Sequence, residues 1–182
     1  MRKTVKRLFG LFLASLLLHA GASAASAQSV TVSVSPLSQD ANVGAMNVVV
    51  EIRLDTNGNT VGGGGVFLDY DETRLTYENG SLGPSWNQFL AGPNDNGDVV
   101  SLSVGVGGGL TGANVLVATL EFTAASAGTA DLNFLFEIGT QETSFTDTSF
   151  NPYLTNALDG EIVVVVPTNT PTLTPSATPT QT

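Results

Sequence analysis

The chain has 182 residues, 16 of them acidic and six basic, with no cysteine and a single histidine. Four of the basic residues (Arg2, Lys3, Lys6, Arg7) and His19 lie in the first 27 residues, so the remainder carries only Arg53 and Arg74 against all 16 acids, a formal charge of −14. That remainder excludes a Ser-His-Asp triad, a thiol nucleophile, a lysine Schiff base and a Cys/His zinc site, and its sign disfavours phosphate backbones and anionic lipid.

Met1–Ala27 reads as a secretory signal peptide. A basic start precedes an apolar run, Leu8–Leu18, and two small-residue cleavage sites follow, Ala22-Ser23-Ala24 and Ala25-Ser26-Ala27. The apolar run is shorter than the roughly 20 residues that span a bilayer. The mature chain is therefore expected outside the cytoplasm, secreted or on the cell surface, without a membrane span. Lacking cysteine, it must draw its stability from its core. Gln28–Val166, about 140 residues, is long enough for one domain that buries roughly two-thirds of its unfolded surface.

From Gln28 onward no long segment shows a 3.6-residue period. Short runs rich in Val, Leu, Phe and Thr recur between Gly, Asn, Asp and Pro clusters. Nine strands are expected: Val30–Ser35, Met46–Leu54, Val61–Tyr70, Leu75–Glu78, Trp86–Leu90, Val99–Val106, Asn114–Thr123, Ala130–Ile138 and Gly160–Val166. Several alternate. Val48, Val50, Ile52 and Leu54 share one face; Leu116, Ala118, Leu120 and Phe122 share another; Leu132, Phe134, Phe136 and Ile138 a third. Period-two alternation means one buried and one wet face, and many such strands predict an all-β antiparallel sandwich or jelly roll. The continuous run Ile162–Val166 suits a strand buried on both sides. After it, Pro167–Thr182 holds four Pro and seven Thr in 16 residues. Such a segment cannot build a core and reads as an extended linker or tail.

Three blocks carry a family resemblance. Val66-Phe67-Leu68-Asp69-Tyr70-Asp71-Glu72-Thr73-Arg74-Leu75 resembles the third strand of cohesin modules and the YDP-x-x-L turn that ends it. Val117-Ala118-Thr119-Leu120-Glu121-Phe122-Thr123, with Ala127-Gly128-Thr129 after it, is similar to the family's L-A-T-L-T-F-x-A…G segment. Leu158-Asp159-Gly160-Glu161-Ile162-Val163-Val164 resembles its closing x-G-x-V-x-V strand. The resemblance covers nearly all of residues 30–166 and implies a nine-stranded jelly-roll sandwich, a non-catalytic role and a protein partner of the dockerin kind, in a non-cellulosomal variant. The chain departs from the family at Gly62-Gly63-Gly64-Gly65, where many cellulosomal cohesins place polar residues that grip the dockerin. Glycine inside a strand marks a bulge or a backbone approached closely by something else.

Candidate sites follow from residue types. Asp69, Asp71 and Glu72 with Arg74 offer carboxylates, and glycoside hydrolysis needs a pair about 5 Å or about 6.5–9.5 Å apart. Asp69 and Asp71 share a side only if the strand runs through Asp71; a turn there gives Asp71 a structural role. Asp55-Thr56-Asn57-Gly58-Asn59 begins like a calcium loop, but Thr60 and Val66 stand where that loop needs Gly and Glu, and a hairpin turn at Asn57-Gly58 explains it. Asn94-Asp95-Asn96-Gly97-Asp98 reads the same way, so no metal and no cofactor is expected. Asn79-Gly80-Ser81 matches a glycosylation sequon, with a turn as the simpler reading. Direct polysaccharide binding is the alternative to a protein partner: Trp86, Phe89, Tyr77 and Tyr153 are the aromatics available to stack on sugar, though no strand carries aromatics at i, i+2, i+4 on a polar face. A structural surface domain is a third reading. The cohesin resemblance points to the outward side of the third, sixth and eighth strands as the recognition face. Alternation then nominates Phe67, Asp69, Ser101, Ser103, Asn133, Leu135 and Glu137, with Phe67 and Leu135 as apolar anchors and Asp69 and Glu137 orienting a basic partner. The module is expected to be a monomer.

Overall fold

In a computed structural model, residues 28–137 and 141–168 are described, apart from the side chains of Phe89 and Glu137. The signal-peptide segment, Ile138 and most of the Thr/Pro tail lie outside them. The described residues contain fourteen strand segments and no helix. In chain order they are β1 (Ser29–Ser35), β2 (Ser38–Asn42), β3 (Val48–Asp55), β4 (Val61–Tyr70), β5 (Leu75–Leu82), β6 (Gln88–Asp95), β7 (Val99–Leu110), β8 (Val115–Ala124), β9 (Gly128–Phe134), β10 (Phe136–Glu137), β11 (Gln141–Glu142), β12 (Ser144–Thr146), β13 (Leu154–Leu158) and β14 (Gly160–Val165).

Two sheets form the sandwich. One has the order β13-β1-β3-β8-β5; the other runs β2-β14-β9-β4-β7-β6, with β12 also paired to β4. Most ladders are antiparallel, and the two parallel pairs, β1 with β13 and β14 with β2, lie at sheet edges. The alternation that predicted the strands is the alternation that fills the core. Val30, Val32, Val34, Val50, Ile52 and Leu54 from one sheet meet Val66, Leu68, Leu102, Val104, Leu132 and Ile162 from the other, and all are buried. At the centre Phe122 takes edge-on contacts from Tyr70 and Tyr77, with ring centroids 5.3 and 5.8 Å away.

The structure corrects the sequence reading in several places. Nine runs become fourteen because short or polar segments also pair. β2, Ser-Gln-Asp-Ala-Asn, buries only Ala41 and is held by its backbone against β14. Leu116 is only half-buried, because a bulge opposite Ile52/Arg53 shifts the phase of β8 and sends the neighbouring Val117 inward. Phe136 is exposed: the chain leaves the sheet after β9, so Phe136 no longer continues the face of Leu132 and Phe134. Ile162–Val166 is buried on one side alone, with Val165 and Val166 exposed, since no layer among the described residues covers the outer face of β14. The turn at Asn57-Gly58 exists, with both residues at positive φ, but it carries the chain from one sheet to the other and is not a hairpin. Asn79-Gly80-Ser81 lies within β5, beside a bulge, and not in a turn.

Candidate functional site

The outward face of the larger sheet can be built rung by rung, because residues directly opposite on paired strands project to the same side. Phe67 pairs with Ser101, Gly65 with Ser103 and Gly63 with Gly105 across β4 and β7. Asp69 pairs with Asn133 across β4 and β9. The intervening residues of β4, Val66, Leu68 and Tyr70, are buried. Five of the seven nominated residues, Phe67, Asp69, Ser101, Ser103 and Asn133, therefore share one open face, and all five are half-buried. Leu135 sits just past the end of β9, where its amide donates to the Phe67 carbonyl at 2.9 Å. It stands beside the face, not in its ladder. The side chain of Glu137 lies outside the described residues.

One half of the face is acidic. Burial pushes the Asp69 carboxyl up from its ordinary value, Asp98 adds to that, and Asn133 draws it back. Below it the turn is tied by its own side chains. Asp71 accepts from the amide and hydroxyl of Thr73 at 2.9 and 2.6 Å and pairs with Arg74 at 2.9 Å. These bonds, the Thr73 hydroxyl first, hold the Asp71 carboxyl below its usual range. Arg74 also donates to the Ala127 carbonyl at 2.8 Å, and its guanidinium lies where a side chain on Gly128 would be. Two of the sequence blocks thus meet at one corner. The strand ends at Tyr70, so Asp69 and Asp71 do not sit on a common strand face as a carboxylate pair. Tyr70 donates to the Gly97 carbonyl at 2.7 Å and to Asp95 at 3.2 Å; burial, then the Asp95 charge, pushes its hydroxyl up to about 12.

The other half is nearly bare. Two rungs, Thr146–Gly63–Gly105–Gln88 and Ser144–Gly65–Ser103–Ala91, cross β12, β4, β7 and β6 with small residues at every central position. The glycine run answers to the chain itself. β12 lies against Gly63–Gly65, and the buried ring of Phe145 occupies the space a Gly64 side chain would take. A bulge falls between Val61 and Gly63, as glycine in a strand suggested. β9 and β12 fill the seat beside β4 in turn. Between them the β10–β11 hairpin leaves the sheet at Leu135 and returns at Thr143, whose amide donates to the Leu135 carbonyl at 2.8 Å.

The aromatics singled out for sugar stacking are committed elsewhere. Trp86 precedes β6, is buried, donates to the Leu116 carbonyl at 3.0 Å and lies 6.5 Å from the Phe145 ring. Tyr77 packs on Phe122, and Tyr153 donates to the Thr60 carbonyl at 2.8 Å. The side chain of Phe89 lies outside the described residues. Sequence reasoning missed Phe150, at 85% the most exposed large apolar residue among the described residues. The loop Asn94–Asp98 is closed by its own bonds, Asp95 accepting from the Gly97 amide at 3.1 Å. Asp55 likewise accepts from the Asn57 amide at 2.8 Å. Among the described residues no three acidic or histidine side chains gather into a metal-holding group.

No family model and no curated protein matches the chain. Solved structures do. A non-cellulosomal cohesin from the hyperthermophilic archaeon Archaeoglobus fulgidus is 17% identical with a TM-score of 0.62, over 75% of this chain and 91% of that one. A type I cohesin–dockerin complex from Clostridium thermocellum is 15% identical, TM-score 0.62, over 76% and 96%. The seventh ScaB type I cohesin from Pseudobacteroides cellulosolvens is 20% identical, TM-score 0.60, over 82% and 98%. At such identities the likeness is one of fold, and in fold the chain is a cohesin-like module.

Proposed function

We propose that this chain is an exported, non-catalytic module that binds a protein partner of the dockerin kind through the outward face of β4, β7 and β9. The observation that carries the reading is the continuous patch of Phe67, Asp69, Ser101 and Asn133 on one sheet face, with no second layer over it among the described residues. Several fold neighbours are cohesins in complex with dockerins, which supports a protein partner of that kind. Phe67 and Leu135 supply apolar anchors. Asp69 and Glu137, within a chain of strong acidic excess, favour a basic partner and speed its approach. Residues 1–27 direct export, residues 28–166 are the binding module and residues 167–182 are a Thr/Pro linker. A role in assembling polysaccharide-degrading proteins outside the cell fits this layout, with the module acting as a monomer. Against catalysis, Asp71 is spent on its turn and on Arg74.

The test is capture of partners from the producing organism's own secretome, with variants alongside. Phe67→Ala and Leu135→Ala should each weaken the captured partner by about 30-fold, near 2 kcal/mol, and leave the fold intact. Normal binding by both variants would remove this face from consideration. Unfolding of both would mean that the two side chains belong to the core.

A further inference from the structure

We propose that the glycine end of the same sheet is a second, separate site, and that it binds a neutral polysaccharide chain. A groove of about 440 Å³ lies there, within the range of about 300–1,000 Å³ typical of ligand sites. Its floor is the rung Thr146–Gly63–Gly105–Gln88 with Ser103 and Gly107 beside it, roughly 14 Å across four strands. Phe150 stands on one rim and Leu90 on the other, 85% and 72% exposed.

Phe150 is held there at a cost. Its φ is +66°, a left-handed conformation that a residue of this kind rarely adopts. The loop that imposes it is tightly bonded. Asp147 accepts from the amides of Ser149 and Asn151 at 2.7 and 2.9 Å and from the Asn151 side chain at 2.8 Å, and the Phe150 amide donates to the Asp147 carbonyl at 3.2 Å. A strained backbone that presents an exposed ring over a groove is a feature that packing does not explain.

Charge selects the ligand class. Arg53 lines a different groove and Arg74 is bound to the far turn, so neither basic residue of the mature chain lines this one. The one carboxylate that lines it, Asp147, already accepts three hydrogen bonds from its own loop. What the groove offers is a phenyl ring, a glycine-rich floor, and the hydroxyl and amide groups of Ser103, Thr148 and Gln88. A pyranose chain has flat C–H faces for the ring and hydroxyls for the polar groups. An anionic polymer would meet only the chain's negative field. A basic protein partner would be drawn to the acidic half instead.

Affinity gel electrophoresis of the full chain in hydroxyethyl cellulose, xylan, galactomannan and polygalacturonate tests this. At least one of the three neutral polymers should retard it, and 0.5 M salt should leave the retardation unchanged because no ion pair is involved. Phe150→Asn should weaken retardation about tenfold while its melting temperature holds or rises by about 2 °C, since Asn accepts the left-handed backbone. Gly107→Val should do the same to retardation by filling the groove; a side chain there meets only the end of Gln88 at 3.6 Å. Capture of the protein partner should be normal in both variants. Four results would each overturn the proposal: no retardation in any neutral polymer, retardation in polygalacturonate alone, Phe150→Asn binding like the parent, or Phe150→Asn losing stability. Loss of the protein partner in these variants with polysaccharide binding intact would assign the groove to that partner instead.

Discussion

The two halves of β4 lie in one strand and one sheet, yet they solve different problems. From Val66 to Tyr70 every second side chain enters the core and the others, Phe67 and Asp69, face outward beside β7 and β9. From Gly62 to Gly65 the strand gives up its side chains, and a different segment, β12, settles against it with Phe145 plugged through the gap at Gly64. The first half displays side chains on its outward face. The second makes room, first for the chain's own Phe145 on the inner side and then for a surface without side chains on the outer side. A glycine run that looks like one feature in the sequence is therefore two: Gly64 faces inward and is spoken for, while Gly63 and Gly65 face outward.

That distinction can be broken experimentally. Phe145→Ala should cost about 4 kcal/mol, as deletion of a fully buried phenyl ring does. Gly64→Val should cost about 3 kcal/mol by forcing a side chain into the same ring and the Ser144 carbonyl. Gly65→Val, one residue on, meets nothing closer than 3.8 Å and should stay within about 0.5 kcal/mol of the parent. Urea melts of the three variants decide it; equal losses at Gly64 and Gly65 would mean that the glycines serve strand geometry in general.

At the acidic half the effects are smaller and depend on pH. Tyr70→Phe removes the bond to the Gly97 carbonyl and should cost about 1 kcal/mol at neutral pH. The folded hydroxyl titrates at about 12 and the free one at 10.0, so the unfolded chain loses this proton first. The stability Tyr70 supplies is therefore complete below pH 10 and declines as pH rises towards 12. Alkaline melts of the parent should show that decline and those of Tyr70→Phe a shallower one. The smallest effect is at Asp71, whose folded carboxyl is held below its ordinary value. Its contribution is present above pH 3.8 and fades as pH falls through the folded value, so Asp71→Asn should flatten the acid limb of the stability curve slightly.

What the sequence disclosed follows from where its signals are strong. β4 was readable to the residue, because Val66, Leu68 and Tyr70 alternate cleanly and Asp71 stops the strand. The outward phase of Phe67, Asp69, Ser101 and Asn133 was readable for the same reason. β2 was not, since a parallel edge strand held by its backbone needs only one apolar residue. The phase slip at Leu116 was hidden because a bulge adds a residue without any mark in the composition. Phe150 stood in a polar loop with no periodicity to place it. The one local cue was Asp147-Thr148-Ser149-Phe150-Asn151, in which an aspartate precedes groups able to cap it.

The seat beside β4 has a further consequence. Because Leu135 and Thr143 are bonded to one another, the chain departs from the sheet and rejoins it at a single rung. Closing a loop twice as long costs only about 0.6 kcal/mol more. The hairpin is thus a socket: a natural relative could enlarge it, or an engineer replace it with a foreign peptide, and the excursion would stand next to the outward face of β4 while the sandwich beneath kept its register.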